Sequence, residues 1–550
     1  MTKSKKILLS LIGIFSLVAI STSAVSCFGN SAKKEANPLL NFNGKVKIAI
    51  EKSWESIVQK AISMLDKEEQ EKIQVVQLEN GSAGSYIDNN IVKDPSEAAD
   101  IFPTALDKFD SLVSKGSLFE VKKEDLEQYG DNAKLVEING KYWGYPLNVE
   151  SLFTIYNTDK YPNGIKKIDD ILIEHPHKSK FAAQFNNMWY GAIFSNTLFA
   201  QKDKDVSKQW VGDQSATSSP MLYNPKFKKL MEQLYNYNQA LKNAGGELQK
   251  IATNNNRDEA IRQGIADGSI KGTIDGPWVV QEVISRIMKT HENNKPKAVE
   301  MLKKLKAAKL PMFEYNNLKH FKGGWAFSIN KSALLKGNDF NKALNKLQLA
   351  SKFTSLLTSA QFASDWFAQG GKISGAKGAM PKVAAEDMKL QIPGAAQDMI
   401  HDMKVWVEVP GFKEAVESFF SETLKAVAEQ SGYNVKQPIW PGSGFWSAWD
   451  EHGLSSSFKD FNEFWNKFSQ EVNLAYEAKN KEMMPQMEDK KPEVMDDKKD
   501  EKKPEVMSEN KPQMDDKKDE KKPEVKEEDK MQMGSKPEAK MEEEKLNYSW

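Results

Sequence analysis

The segment from residue 45 to residue 116 alternates strand and helix patterns, and this alternation constrains the fold more than any other feature of the chain. Polar and apolar residues alternate in the strand-like parts, whereas apolar residues recur at helical spacing in the parts between them. The expected elements are strands at 45–50, 73–78 and 98–102, and helices at 54–65 and 106–112 with Gly116 as the helix stop. This order predicts an α/β fold with a largely parallel sheet, in which ligands collect outside the carboxyl ends of the strands.

Further elements follow along the body of the chain. Asn139-Gly140 predicts a tight turn between strands at 135–138 and 141–145. Residues 147–156 read as another strand. Long helices are expected through 227–241 and 347–367.

The body from Leu39 to Lys479 is longer than a single hydrophobic core supports, so two lobes are expected. The chain carries 77 Lys and Arg against 77 Asp and Glu, a formal net charge of +0. This balance offers no long-range attraction for nucleic acid or anionic lipid, and we expect no nucleic-acid partner.

The N-terminal segment has the pattern of an export signal. Lys3, Lys5 and Lys6 precede an apolar run at 7–20, and small residues then lead to Cys27. The run is shorter than the roughly 20 residues of a membrane-spanning helix. The small residues closing on Cys27 resemble the lipobox of bacterial lipoproteins, whose cysteine is acylated after cleavage. The alternative is an uncleaved anchor in which Cys27 is a buried apolar residue.

These features predict a signal peptide at 1–26, acylation of Cys27, and a polar linker at 27–38. Acyl chains would hold the protein at the extracellular face of the cell membrane. Cys27 is the only cysteine in the chain, so disulfides are not expected to stabilise the fold.

The C-terminal 481–550 segment is predicted to be a disordered tail. It is poor in large apolar residues, and the twelve letters at 495–506 recur at 514–525. A solvated spacer, or a by-product of repeat slippage, is one interpretation. Surface interaction or immune variability is the other.

Several motifs, in order along the body, resemble the extracellular solute-binding proteins of ABC importers, and the maltose-binding branch in particular. Each motif is weak alone, but the ordered set after a lipoprotein-like leader is fairly specific. They are Ala99-Asp-Ile-Phe-Pro-Thr-Ala-Leu-Asp-Lys-Phe109, Gly116-Ser-Leu118, Ile138-Asn-Gly-Lys-Tyr-Trp-Gly-Tyr-Pro146, Asn148-Val-Glu-Ser-Leu-Phe-Thr-Ile-Tyr-Asn157 with Asp159, Gly272-Thr-Ile-Asp-Gly-Pro-Trp278 and Ser443-Gly-Phe-Trp446.

The resemblance implies a two-lobed, periplasmic-binding-protein-like fold of type II with interleaved lobes. Lobe 1 would comprise residues 39–148 and 310–358, and lobe 2 would comprise residues 149–309 and 359–480. The chain would cross between the lobes near 147–151, 310–312 and 358–362, with the ligand lying between them.

The resemblance also implies a function. The protein would be a monomeric, lipid-anchored receptor that captures a small-molecule ligand, most simply a sugar or oligosaccharide, and delivers it to the subunits of an ABC permease. Binding would favour the closed arrangement of the lobes, because only that arrangement lets both faces contact the ligand. The alternatives are a surface adhesin or antigen on the same scaffold, and a binding protein for a non-sugar solute.

Aromatic residues in the matching segments are the first candidates for ligand binding, because sugars offer apolar C–H faces to flat rings. Trp278 follows Pro277, which suits the first turn of a helix capped by Asp275 or Gly276. Trp446, Trp189 and Tyr190 are further candidates. For each of these aromatic residues the alternative is a position in the packed core.

The polar candidates are Asp107, Lys108 and Glu150, at positions where the family places an acidic–basic pair and a carboxylate beside the hinge. Solvated surface charges are the alternative. Thr104 stands where the maltose-binding branch has a tryptophan, and Asp450 where it has an arginine. These departures leave a different sugar, a sugar phosphate and a non-carbohydrate open as ligands.

Other chemistries have little support in the sequence. The glycines at 370, 371, 375 and 378 lack the Gly-Lys-Ser/Thr of a phosphate loop and predict a flexible loop instead. The six histidines show no zinc spacing, and no nucleophile motif is present. We therefore expect no metal, no cofactor and no enzyme activity, with a glycosidase built from paired carboxylates as the enzymatic alternative.

Overall fold

The computed structural model describes residues 37–199, 210–212, 216–382, 384–385, 403–431 and 443–483, which all fall in one compact unit, residues 1–485. None of the helices in these ranges is long and apolar enough to cross a membrane. The predicted signal peptide, Cys27 and nearly all of the predicted linker and tail lie outside the described residues.

The described strands are short and form one five-stranded, one three-stranded and two two-stranded sheets. In chain order they are β1 Val46–Glu51, β2 Ile73–Leu78, β3 Ile101–Ala105, β4 Glu137–Ile138, β5 Lys141–Tyr142, β6 Tyr145–Glu150, β7 Phe153–Asn157, β8 Gly272–Asp275, β9 Leu305–Ala308, β10 Met312–Phe313, β11 Asn316–Asn317 and β12 Gly323–Ile329.

The helices cover both sheets and fill the space between strands. They are α1 Glu55–Ser63, α2 Lys67–Lys72, α3 Ala83–Tyr86, α4 Phe109–Ser114, α5 Asp169–Ile173, α6 Pro176–Ser179, α7 Met188–Leu198, α8 Pro225–Ala244, α9 Gly246–Ala252, α10 Arg257–Asp267, α11 Val280–Thr290, α12 Lys295–Lys304, α13 Lys331–Leu335, α14 Phe340–Leu357, α15 Ala363–Gly370, α16 Met403–Val407, α17 Phe412–Ser431, α18 Ser443–Trp449 and α19 Phe461–Met483. Shorter 3₁₀ and π turns connect them, at 38–40, 52–54, 87–91, 106–108, 123–136, 220–223, 277–279, 360–362 and 450–454.

Two separate hydrophobic cores divide the described chain into lobes. The core of lobe 1 draws on residues 42–147 and 326–366, with Ala376 added. The core of lobe 2 draws on residues 152–321 and 367–476. The predicted two-lobed α/β architecture with interleaved segments is thereby confirmed.

Core membership changes between Leu147 and Leu152, between Phe321 and Ala326, and between Trp366 and Phe367. The second and third changes come later in the chain than the expected crossings at 310–312 and 358–362. The domain limits at 148, 309 and 358 stay predictions, because a lobe also includes residues outside its core.

Each lobe is built on one sheet. The five strands of lobe 1 have the order β2-β1-β3-β12-β6, and the three strands of lobe 2 have the order β8-β7-β9. β1 runs parallel to β2 and β3, as the sequence predicts. β12 runs antiparallel to both β3 and β6, and β7 runs antiparallel to β8 and β9.

The antiparallel strands follow from the chain crossings. The chain enters lobe 2 through residues 151–152 and returns to lobe 1 just before Gly323. β12 and β7 begin at a crossing and run away from it. The strands beside them run toward it, so the pairs are antiparallel. The expected parallel order therefore holds only for the first three strands.

Two elements differ from the sequence prediction. The expected strand at 147–156 is two strands, β6 and β7, separated by the crossing at 151–152. The expected helix at 347–367 ends at Leu357, because Ser359 adopts an extended backbone conformation before the next helix begins. The Trp366 indole donates to the Leu357 carbonyl oxygen (2.9 Å) and satisfies this helix end.

The expected strand at 98–102 lies at Ile101–Ala105, and the expected helix at 106–112 begins as a 3₁₀ turn before α4, whereas two turn positions are confirmed. The helix α4 ends before Gly116, which has a φ of +68°, as a left-handed stop requires. The hairpin around Asn139-Gly140 joins β4 to β5. Helix α19 extends to Met483, so the first three residues of the predicted tail are helical instead.

Candidate functional site

One edge of the lobe 1 sheet and one edge of the lobe 2 sheet meet at the first chain crossing. β1 and β3 end at this edge of lobe 1, and β12 begins there, because Trp325 pairs with Ala105 at the end of β3. Gly323 pairs with Glu150, the last residue of β6. In lobe 2, Asp275 at the end of β8 pairs with Phe153, which follows the crossing directly. The loops after β1, β3 and β8 therefore face one junction between the lobes.

A lysine from the segment of the third crossing, Lys372, lies among tryptophans of lobe 1 at this junction. Lys372 Nζ lies 5.1 Å from the centre of the Trp54 ring and 5.6 Å from that of Trp325, within cation–π range. It also lies 4.0 Å from Glu150 Oε1. The Lys372 and Glu150 side chains are each 13% exposed, so both remain accessible at their tips.

The Glu150–Lys372 pair retains unused hydrogen-bonding capacity. A distance of 4.0 Å is too long for a direct hydrogen bond. Asn148 Nδ2 donates to Glu150 Oε1 (2.8 Å), and Asn148 Oδ1 accepts from the Trp325 backbone N–H (2.9 Å). Asn148 thus fixes the Glu150 carboxylate relative to the strand that carries Trp325.

Trp278 forms the lobe 2 side of the junction. The residue is half-buried in the 3₁₀ turn 277–279, which begins after Gly276 and leads into α11. Its ring folds back over Gly276, where a Cβ atom would lie only 2.1 Å from the indole. A Cβ atom on Gly371 would lie 3.2 Å from Trp278 Cα, so Trp278 adjoins the segment that carries Lys372.

Trp189 also lies where the lobes meet. It is half-buried at the start of α7, and its ring covers Gly323, where a Cβ atom would lie 2.6 Å from the indole. It packs edge-to-face on His320 and Phe321, with ring centres 4.8 and 4.7 Å apart. Burial lowers the pKa of His320 to about 3, so this imidazole is neutral when it packs on Trp189.

Asp107 lies in the 3₁₀ turn that follows β3. The residue is exposed to solvent, yet desolvation by the protein around it raises its pKa, against the lowering effect of Lys108. Lys108 is held by Asp88, with its Nζ 3.1 Å from both carboxylate oxygens.

Tyr190 is buried behind Trp189 and Trp278. Its hydroxyl donates to Asp275 Oδ1 (2.7 Å), and the Gly276 N–H donates to the same oxygen (2.8 Å). Burial raises the pKa of Asp275 to about 6, although Arg262 and these two hydrogen bonds lower it in part. The structure thus places Tyr190 beneath the junction rather than at its surface.

Three further sequence positions are placed in lobe 2 or in a strand. Trp446 is half-buried in α18, packed against the core of lobe 2. Thr104 is fully buried in β3 opposite Ala326. Asp450 is buried, 2.8 Å from Arg257, and accepts a hydrogen bond from Ser455 (2.7 Å). The Asp450 carboxylate is therefore neutralised within lobe 2.

Sequence reasoning missed Trp325 and Lys372. Trp54 is buried in the core of lobe 1, as the predicted helix face implies, and it only borders Lys372. Trp325 is in a strand whose direction the sequence did not reveal. Lys372 is within a glycine-rich segment read only as a loop, and its pairing with Trp54 spans more than three hundred residues.

Other surface features lie apart from the junction. A shallow depression lined by Leu198, Phe199, Pro220 and Tyr223 lies at the C-terminal end of α7. Trp189 is at the opposite end of this helix, about 14 Å away at 1.5 Å per residue. Within the described residues, no group of three His, Asp or Glu side chains could hold a metal ion.

Comparison with known proteins gives matches to one family. A family model described as bacterial extracellular solute-binding protein matches residues 34–391. The chain is 22% identical over 289 residues to the maltodextrin-binding protein MdxE of Bacillus subtilis, covering 48% of this chain and 61% of that protein. It is 23% identical over 296 residues to a maltooligosaccharide ABC transporter solute-binding lipoprotein of Streptococcus pneumoniae, covering 50% and 65%. The match thus spans less than two thirds of each relative.

Solved structures show the same fold. MalX from Streptococcus pneumoniae, in complex with maltopentaose, has a TM-score of 0.52 and 16% identity, covering 80% of this chain and all of MalX. The maltose-binding protein MalE from Listeria monocytogenes, in complex with maltose, has a TM-score of 0.51 and 15% identity, covering 80% and 99%. At these identities the likeness is evidence for the predicted fold class alone.

The buried Asp275 predicts a pH-dependent stability. Its pKa rises from 3.8 to about 6 on folding, so the folded state holds this proton more tightly than the unfolded state. The penalty for ionisation is absent below pH 4, grows between pH 4 and 6, and is complete above pH 6, at up to about 3 kcal/mol. Asp275→Asn should therefore gain stability relative to the natural protein as pH rises from 4 to 7.5, measured by urea unfolding.

A matched control separates this effect from general charge changes. Glu292 is exposed on the surface after α11, and Glu292→Gln should leave the pH dependence of unfolding as it is in the natural protein. If the free energy of unfolding changed with pH by the same amount in Asp275→Asn and in the natural protein, the ionisation penalty would not belong to Asp275.

Proposed function

Because this chain belongs to the family of bacterial extracellular solute-binding proteins, we propose that it captures a sugar or oligosaccharide between its two lobes for an ABC importer. Family membership gives a binding role rather than an enzymatic one.

The junction between the lobes is the observation that supports the proposal most directly. Trp278 of lobe 2 adjoins Gly371, and the next residue, Lys372, lies between Trp54 and Trp325 and faces Glu150 of lobe 1. Aromatic and polar side chains from both lobes are therefore gathered around the first crossing. This is the combination that binds the apolar faces and the hydroxyl rims of a sugar.

The charges at the junction favour a neutral ligand. Lys372 faces Glu150, and Lys108 is already held by Asp88, so neither ammonium group is left without an acidic neighbour. A sugar phosphate would need cations free to pair with its phosphate group. A neutral oligosaccharide needs only donors and acceptors, which the Glu150–Lys372 pair supplies.

The relatives suggest a ligand to test first. Two of them are named for binding maltodextrin or maltooligosaccharides, and one structural neighbour contains maltopentaose. Maltopentaose is therefore the first probe. A panel of other sugars, sugar phosphates, peptides and polyamines tests the other ligand classes.

Membrane attachment and location are proposed from the leader sequence. Acylation of Cys27 would tether the lobes at the extracellular face of the cell membrane, where a permease takes over the ligand. The matched pneumococcal protein is itself named a lipoprotein. Closure of the lobes over the ligand would give the permease a distinct state to recognise.

Trp278 should carry a large part of the ligand affinity. Trp278→Ala removes the lobe 2 ring and is expected to weaken maltopentaose binding at least tenfold, since aromatic contacts contribute about 1 kcal/mol beyond the area they bury. Isothermal titration calorimetry on the purified full-length chain measures the change. Trp465→Ala is the control, because Trp465 packs on Phe227 and Phe468 in lobe 2, away from the junction.

The possible outcomes distinguish the proposed functions. Saturable binding that is lost in Trp278→Ala and kept in Trp465→Ala supports capture at the junction. Equal losses in both variants would contradict a direct role of Trp278. No response to any member of the ligand panel, together with binding to host cells, would replace capture by the adhesin function.

Glu150 and Lys372 should act as a pair. Glu150→Gln and Lys372→Gln are each expected to weaken maltopentaose binding about tenfold, because each removes a charge-assisted hydrogen bond. The double variant should lose less than the product of the two single losses, since the groups share one ligand hydroxyl. Calorimetry on the four proteins gives this coupling directly.

Lys377→Gln is the matched control for Lys372. Lys377 is exposed in the same glycine-rich segment, five residues further on, and its substitution should leave affinity unchanged. If the affinity loss of the double variant equalled the product of the two single losses, Glu150 and Lys372 would not share a ligand hydroxyl. Tighter binding of a sugar phosphate by Glu150→Gln than by the natural protein is also expected, because the substitution frees the Lys372 charge.

The lipid anchor has its own test. Cells that express the chain are fed radiolabelled palmitate, and the protein should carry label and fractionate with membranes. Cys27→Ser should carry no label and appear in the medium, whereas Ser31→Ala in the adjacent linker should behave like the natural protein. Label retained in Cys27→Ser would show that Cys27 is not the site of acylation.

A further inference from the structure

We propose that Asp275 is a positioning residue that holds two ligand-facing tryptophans, Trp278 and Trp189, through one buried carboxyl group. The consequence of this inference for ligand binding rests on the proposed function. Its structural part concerns the free protein and can be measured without a ligand. Neither the family likeness nor the sequence motifs assign this role to Asp275.

The first arm of this arrangement leads to Trp278. Asp275 Oδ1 accepts a hydrogen bond from the Gly276 N–H (2.8 Å). Gly276 precedes the 3₁₀ turn of Trp278, and the indole ring lies directly over Gly276. The orientation of the Gly276 peptide therefore sets the place of the ring.

The second arm leads to Trp189. The same oxygen, Asp275 Oδ1, accepts a hydrogen bond from the Tyr190 hydroxyl (2.7 Å). Tyr190 and Trp189 are neighbours in the first turn of α7, where Asn187 caps the Trp189 N–H (2.9 Å). Holding Tyr190 fixes this turn relative to β8, and with it the Trp189 ring over Gly323.

The groups that face Asp275 are one arginine, one carboxylate and one hydroxyl. On α10, Arg262 attracts the carboxylate and Asp258 repels it, and on α7 the Tyr190 hydroxyl bonds to it. Arg262 is not reserved for Asp275, because its guanidinium lies 2.6 Å from Glu282 and 3.8 Å from Asp258. Asp275 itself is fully buried.

The second arginine of this region, Arg286, is paired with other carboxylates. On α11, Arg286 lies 2.8 Å from Glu282 and 3.4 Å from Glu259 of α10. Four carboxylates thus share two guanidinium groups, and Asp275 is the member without a direct ion pair among the contacts described. Burial is the main cause that raises the pKa of Asp275 to about 6, and Asp258 adds to the rise against Arg262 and the two hydrogen bonds.

Protonation weakens both arms at once. An ionised carboxylate accepts hydrogen bonds about twice as strongly as a neutral acid. Above pH 6, Asp275 therefore holds the Gly276 peptide and the Tyr190 hydroxyl firmly, and below pH 6 it releases both in part. We expect affinity for a ligand clasped by the two tryptophans to fall about fivefold from pH 7.5 to pH 5.

The decisive experiment uses the free, full-length protein labelled with 5-fluorotryptophan. The ¹⁹F resonances of Trp278 and Trp189 are assigned with Trp278→Phe and Trp189→Phe, and followed from pH 4.5 to 8. Both should shift with one common midpoint near 6. In Asp275→Asn neither should shift, since the amide keeps an acceptor oxygen but cannot ionise. Separate midpoints, or shifts that persist in Asp275→Asn, overturn the proposal.

Tyr190→Phe tests the two arms separately. The substitution keeps the ring and removes only the hydroxyl, so the Trp189 resonance should lose its shift while the Trp278 resonance keeps it. If Asp275 only stabilised the fold, Tyr190→Phe would not make the Trp189 and Trp278 resonances respond differently to pH. Loss of both shifts, or of neither, would overturn the two-arm arrangement.

Maltopentaose titrations complete the test. The natural protein should bind about fivefold more weakly at pH 5 than at pH 7.5, and Asp275→Asn should bind at the weaker level at both values. Common ¹⁹F shifts without maltopentaose binding would refute the proposed ligand and leave the positioning role intact. Binding that is independent of pH would refute the positioning role and leave sugar capture intact.

Discussion

The relation between the lobes depends on one short stretch of strand, the end of β6, against which the other crossings pair. Gly323 and Gly324 pair with Glu150 and Val149 at the second crossing. At the third, the Val149 N–H donates to the Ile373 carbonyl oxygen (2.9 Å), and the Gly375 N–H donates to that of Leu147 (2.9 Å). The links between the two cores are thus gathered into one ribbon, and residues carried by that ribbon lie where both lobes can reach them.

This ribbon requires close backbone approach, which a side chain would prevent. Gly324 has a φ of +147°, and a Cβ atom there would lie 2.2 Å from the Asn148 carbonyl oxygen. Any residue with a side chain would separate β12 from β6 at the point where Asn148 fixes both Glu150 and the Trp325 backbone. The glycine at this crossing and the polar groups of the junction are therefore parts of one arrangement.

The sequence predicted the fold class well because periodicity and strand–helix order are local. β1, β2 and the helix stop at Gly116 all fall where the pattern places them. It failed where the determining contact is distant along the chain. Lys372 is placed by the pairing of its segment with β6, and Asp450 by an ion pair with Arg257, and neither contact leaves a periodic signal.

The proposed ligand-facing groups are held differently on the two sides of the junction, and this difference has a consequence for the proposed binding. In lobe 2, Trp278 and Trp189 lie over glycines and are backed by a buried network of hydrogen bonds and ion pairs, so their rings are preorganised. At the end of β6, Glu150 faces Lys372 of the third crossing, and the two stop short of a direct hydrogen bond. A ligand that arrives on the fixed aromatic rings would complete that pair through its own hydroxyl group. Contacts with lobe 1 would then form last, and these contacts would stabilise the closed arrangement of the lobes.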